Sequence, residues 1–156
     1  PQLPASITVD SLGSWTDFVG DEYKAFSGTA VYTTTINKVP VADVIKLNLG
    51  TVAENASVYL NGEYIGTVID SPYQLYIPAE KFKGQDELVV RVANSMANRI
   101  AYMDKKGVDW KIFYNVNMSA RKKENVKNGI FDASDWEPKS SGLLGPVTLT
   151  PAMVKQ

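Results

Sequence analysis

Two strand-like runs, Ala56 to Leu60 and Glu63 to Val68, meet at the dipeptide Asn61-Gly62, and no other feature of the chain restricts its folding so tightly. Both central residues of a type I′ turn need positive φ, which Asn and Gly adopt at least cost, so the segment is predicted to be a two-residue β-hairpin. Further strand patterns flank it. Ser27 to Ile36, SGTAVYTTTI, is β-branched and aromatic after a Gly. Val44 to Leu49 alternates apolar and polar residues. Tyr73 to Ile77 follows Ser71-Pro72, and Leu88 to Ala93 follows the turn Lys83-Gly84-Gln85-Asp86. Leu144 to Thr150 closes the set, with Pro146 suiting an edge or strand end. Helix signals stop at single turns over Ala79 to Phe82 and Val39 to Asp43.

Strands separated by turn signals every ~8–12 residues argue for an all-β sandwich or barrel. The reading adopted is one β-sandwich domain over residues 1–156, with about eight antiparallel strands in two sheets. Its expected core is Val31, Ile45, Leu47, Leu49, Val58, Leu60, Leu75, Ile77, Leu88, Val90 and Val92. Trp15 and Tyr59 are expected in the core or between the sheets.

Composition removes whole classes of chemistry. The chain has no Cys and no His, so disulfides, thiolate or imidazole metal sites, cysteine nucleophiles and Ser-His-Asp triads are excluded. Sixteen Lys and Arg against seventeen Asp and Glu give a net charge of −1, which argues against a nucleic-acid partner. The short run Arg121-Lys122-Lys123 before Glu124 reads as a solvated loop. No apolar run has the ~18 residues of a membrane span. The opening Pro1-Gln2-Leu3-Pro4 lacks a basic and apolar leader. The expectation is therefore a piece of a longer protein, with any export signal upstream.

One region breaks the strand pattern. About fifty residues separate Ala93 from Leu144, far above the usual connection of ~4–6 residues. This excursion carries Arg99, Tyr102, Trp110, Phe113, Tyr114, Phe131 and Trp136. Val108 to Val116 is a candidate strand inside it.

The residues in their order resemble a known family. FSGTAVYTTTI (Phe26 to Ile36) is similar to the opening strand of the sugar-binding jelly-roll domains of glycoside hydrolase family 2, and Leu12-Gly13-Ser14-Trp15 to the Trp-bearing segment before it. ASVYLNGEYIG (Ala56 to Gly66) resembles their hairpin, and Tyr73 to Ile77 with GQDELVVRVAN (Gly84 to Asn94) the next two strands. SGLLGPVTL (Ser141 to Leu149), with Asn98-Arg99-Ile100 and Asp109-Trp110, is most similar to the C-terminal domain of family 106 α-L-rhamnosidases. The resemblance runs from about Trp15 to Thr150. It implies a galactose-binding-like jelly roll that serves a catalytic domain of the same polypeptide, is secreted or periplasmic, and has carbohydrate as its other partner. The matching motifs are fold motifs, so no catalytic residue is carried over and the domain alone is expected not to be an enzyme.

Three kinds of chemistry remain open to such a chain. Paired carboxylates cut glycosidic bonds, but Glu22, Glu63, Glu87 and Glu137 lie at turns or strand ends, where solvated charge is the ordinary state. No cofactor is expected. A structural calcium ion is kept open by the resemblance, while Asp10, Asp17, Asp21, Asp132 and Asp135 are scattered and form no calcium loop. An aromatic sugar platform is the candidate site: Arg99, Tyr102, Trp110, Tyr114 and Trp136, all in the excursion. Ring faces pack on the C–H face of a pyranose while polar groups fix its hydroxyls. Core or interdomain packing of the same rings is the competing reading. A purely structural or protein-interaction sandwich without ligand is the alternative function.

Overall fold

The computed structural model describes residues 2–112 and 122–152. Its strands are β1 (Thr29–Ile36), β2 (Val44–Asn48), β3 (Thr51–Ala53), β4 (Asn55–Leu60), β5 (Glu63–Val68), β6 (Gln74–Pro78), β7 (Asp86–Ala93), β8 (Val126–Lys127), β9 (Ile130–Phe131), β10 (Gly142–Gly145) and β11 (Thr148–Pro151). Two α-helices, α1 (Asp21–Lys24) and α2 (Ala97–Lys105), join them. The chain divides into two units. The first, the sandwich unit, comprises Ile7–Trp15, Gly28–Asn94 and Ser140–Gln156; the second, the helical unit, comprises Pro1–Ser6, Thr16–Ser27 and Ser95–Lys139.

In the sandwich unit an antiparallel sheet runs in the order β1-β7-β4-β5. A second runs β11-β2-β6, and β10 pairs with β3. Strand β7 shows why the first sheet has one dry face: Asp86, Leu88, Val90 and Val92 are buried and the residues between them are not. Strand β4 repeats the pattern with Ala56, Val58 and Leu60. The apolar side chains among these share a core with Leu47, Leu49, Val52, Ile77 and Leu143 from the other sheets. Each such aliphatic side chain contributes ~1.5–3 kcal/mol relative to exposure. The expected β-sandwich is present.

The β4–β5 hairpin has Asn61 and Gly62 at its tip, with φ of 51° and 80°. The turn is fastened from beneath. Asn61 Nδ2 donates to Asp86 Oδ1 at 2.6 Å, and Asn61 Oδ1 accepts from the Glu87 amide at 2.9 Å. Asp86 also accepts the amides of Lys83 at 2.8 Å and Gly84 at 3.1 Å. Burial alone pushes the Asp86 carboxyl up, but the Asn61 amide, the two backbone N–H groups and the Lys83 charge outweigh it and hold its pKa below the ordinary value.

The structure departs from the sequence reading at several places. The closing strand is two strands, β10 and β11, divided at the Gly145-Pro146 bond, and the short β3 is added beside β10. Val31 is 60% exposed instead of core, while Tyr32 and Ile36 pack on the core cluster. Alternation in TAVYTTTI is ambiguous because nearly every residue is β-branched or aromatic, and the bulkier Tyr32 and Ile36 decide which face turns inward. Tyr59 also faces out, alternating with buried Val58 and Leu60, whereas Trp15 is buried as expected. In the helical unit α2 is longer than any helix expected from sequence. Val108 to Ile112 lies in no strand, and the rest of that candidate strand, with Phe113, falls outside the described residues.

Candidate functional site

Four of the five candidate platform residues, Arg99, Tyr102, Trp110 and Trp136, are half-buried in the helical unit. Tyr114 lies outside the described residues. Arg99 and Tyr102 are one helical turn apart on α2, a spacing that puts both on one side of the helix.

Trp110 is held by its polar edge. Its Nε1 donates to Asp104 Oδ1 at 2.7 Å, and Lys111 Nζ reaches the same oxygen at 2.7 Å. Asp104 Oδ2 accepts the Ala133 amide at 2.8 Å. The Asp104 side chain is 1% exposed, and Lys111 is the cation paired with it there. Trp136 is fixed in a similar way: Nε1 donates to Asn125 Oδ1 at 2.9 Å, its amide donates to the Ala133 carbonyl at 3.0 Å, and Phe131 meets its ring edge-on at 5.8 Å. Ala133 therefore links the two tryptophans, through Asp104 on one side and its own carbonyl on the other.

The loop carrying Trp136 is shaped by β8 and β9, a second hairpin with Asn128 and Gly129 at its tip, φ 52° and 78°. Beside it Lys127 bridges Asp132 at 3.3 Å and Asp135 at 3.2 Å. The Asp132 carboxyl is held below its ordinary pKa chiefly by the Ser134 hydroxyl, with burial opposing and the Ser134 amide and Lys127 assisting.

Tyr102 lies apart from the tryptophans in one respect. It lines a depression of about 320 Å³ with Gln2, Leu3, Ala5, Asp21 and Glu22, a lining that includes neither Trp. Lys106 pairs with Asp21 at 3.2 Å and stands 5.5 Å from the Tyr102 ring centre. The Glu22 carboxylate fills the space a side chain on Gly20 would need. Glu63, Glu87 and Glu137 are exposed, Glu63 paired with Lys81. Among the described residues no three His, Cys, Asp or Glu side chains converge into a metal-holding group.

Sequence reasoning missed Asp104, Asn125 and Ala133, the groups that hold the rings. Asn128-Gly129 was the available signal for part of this, the same dipeptide that marks the β4–β5 turn.

The sandwich, with its long elaborated connection, is a β domain of the kind associated with glycoside hydrolases. No protein-family model matches the chain. A curated protein of Formosa agariphila named "Putative beta-glucuronidase" is 32% identical over 158 residues, covering 92% of this chain and 14% of that protein. The solved rhamnosidase of Novosphingobium sp. PP1Y superimposes with a TM-score of 0.75 at 29% identity, over 94% of this chain and 13% of its own. The chain thus spans well under a fifth of either relative.

Proposed function

We propose that this chain is a non-catalytic accessory domain of a larger glycoside hydrolase, secreted or periplasmic, in which residues 1–156 act as one galactose-binding-like jelly-roll module. It binds sugar weakly or packs on the catalytic domain of the same polypeptide. The observation that carries the reading is the match of 94% of this chain to a segment making up 13% of a rhamnosidase. A segment that small leaves catalysis to the rest of such a polypeptide. The lack of His and Cys in the chain points the same way. A family 106 α-L-rhamnosidase is the parent enzyme favoured by the closing motif.

The sugar contact is assigned to the helical unit, with Trp110 and Trp136 as ring platforms, Arg99 and Tyr102 as polar partners, and Tyr114 on the same connection. Both indoles are oriented through N–H bonds at their edges, a pre-organisation that favours stacking, and Lys111 Nζ stands 5.4 Å from the Trp110 ring centre. A monosaccharide of about twelve heavy atoms at roughly 0.3 kcal/mol per atom gives about 3.6 kcal/mol, so millimolar affinity is expected. The alternative, a structural or protein-interaction sandwich without ligand, is favoured by those same N–H bonds, which spend the polar edge of each indole on the protein.

Calorimetric titration with L-rhamnose and D-galactose, alongside incubation with aryl α-L-rhamnosides and β-galactosides, tests the reading. Weak heats lost in Trp110→Ala, with no turnover, support it. Turnover that survives repurification and disappears in an Asp or Glu variant overturns it.

A further inference from the structure

The outer face of the four-stranded sheet has a composition that the core does not explain. The register places Thr33, Val89, Tyr59 and Tyr64 in one row across β1, β7, β4 and β5, and Val31, Arg91, Ser57 and Thr67 in the adjacent row. Tyr59 and Tyr64 meet with ring centres 5.5 Å apart at 60°. The Arg91 guanidinium lies 4.9 Å from the Tyr59 ring centre. The Thr67 hydroxyl joins Ser57 Oγ at 2.7 Å and the Tyr64 hydroxyl at 2.9 Å. Tyr64 is 56% exposed, and Arg91 and Thr67 are exposed as well.

Charge decides what such a face would take. Among the described residues Arg91 makes no ion pair, while Glu63 on β5 is already paired with Lys81. Glu87, the next carboxylate on the outer side of β7, is four residues from Arg91, ~13 Å along a strand. A guanidinium fixed by stacking, with its fork unneutralised, suits a carboxylate or sulfate ester. The row of two tyrosines and hydroxyls beside it suits pyranose rings. Four strands span ~14 Å, room for a short oligosaccharide rather than one ring.

We infer that this sheet face is a second carbohydrate-binding surface, selective for glycan chains bearing anionic groups. Arg91, held over the Tyr59 ring, takes the anion, the exposed Tyr64 takes a ring face, and Ser57 and Thr67 take hydroxyls. The choice of carbohydrate as ligand class rests on the accessory-domain reading; the location and the anionic preference do not.

Affinity electrophoresis in gels containing polygalacturonate, dextran sulfate or neutral dextran tests it, the first two separating carboxylate from sulfate. The protein should be retarded by at least one acidic polymer and not by dextran. Arg91→Gln and Tyr64→Ala, each confirmed folded by thermal melt, should weaken that retardation at least about tenfold, and Arg91→Lys should fall between. Lys38→Gln, an exposed cation that lies in no strand, should leave it unchanged. No retardation by either acidic polymer, or equal retardation of Arg91→Gln and the native chain, overturns the inference. Retardation lost only in Trp110→Ala also overturns it, while leaving sugar binding by the helical unit intact.

Discussion

Asp104 holds Trp110 through a 2.7 Å bond from the indole Nε1, and its second oxygen holds the amide of Ala133, 29 residues further along the chain. One buried carboxylate thus ties Trp110 to the chain three residues before Trp136. Asp104→Ala strands an indole N–H, a backbone N–H and the Lys111 ammonium together. Its expected cost is about 3 kcal/mol, read from a urea melt. The Ala133 amide should lose hydrogen-exchange protection in the same variant. Unchanged protection at Ala133 would show that the loop does not depend on Asp104.

Trp110 offers a graded test of the same arrangement. Trp110→Phe keeps most of the packed ring and removes only the N–H donor, so about 1 kcal/mol is expected. Trp110→Ala removes the half-buried ring as well and should cost about 3 kcal/mol. Equal stability of both variants and the native chain would make Trp110 a bare surface ring.

Acid stability should carry the mark of Asp86. Its folded pKa lies below the ordinary carboxylate value. A depressed carboxylate contributes stability that is present above the unfolded pKa of about 3.9 and lost as pH falls through the folded value. Asp132 shifts in the same direction and adds to the same window. Thermal melts from pH 7 to pH 2 should therefore show a steep loss below about pH 4 in the native chain. In Asp86→Asn the loss should be shallower, from a lower starting stability. Parallel profiles for the two would remove Asp86 from the account.

The contrast between the two Asn-Gly turns explains what the sequence could reveal. Asn61-Gly62 lies between runs with clear alternation, so turn and strands reinforce one another. Asn128-Gly129 sits between strands of two residues each, too short for any period to register. Helix α2 was hidden for a related reason: only Asn98 and Ala101 are buried in it, a polar and a small residue that give little apolar stripe. The aromatics of the platform were visible as residue types. Their anchors were not, because Asp104 and Ala133 are joined only by the fold. Val31 and Tyr59 face outward, against the sequence expectation, because a β-branched or aromatic residue suits either side of a strand equally.

Gly142 supplies the last prediction, and Gly62 is its control. Both have positive φ, 115° and 80°, so replacing either by Ala brings the backbone penalty of a side chain in that region, about 1 kcal/mol. Their surroundings differ. A Cβ at Gly62 would meet nothing within 4 Å. At Gly142 it would lie 2.9 Å from Trp15 Cε3 and closer still to the Tyr32 hydroxyl. Neither neighbour yields easily. Trp15 is 5% exposed and its amide donates to the Ser141 carbonyl at 3.0 Å, while the Tyr32 hydroxyl accepts the Leu143 amide at 3.2 Å. Gly142→Ala must therefore break the Tyr32 bond or shift β10 from β3, adding a crowding cost of about 1–3 kcal/mol. Urea denaturation should place Gly62→Ala about 1 kcal/mol and Gly142→Ala about 2–4 kcal/mol below the native chain. Burial pushes the Tyr32 hydroxyl pKa up, against the opposing pull of the Leu143 amide. A Gly142→Ala protein that opens this corner should let Tyr32 ionise nearer its ordinary value, visible as an earlier rise of tyrosinate absorbance on titration with base. Equal costs at the two glycines, with an unchanged tyrosinate profile, would show that the Trp15–Tyr32–Gly142 corner is loose enough to admit a methyl group.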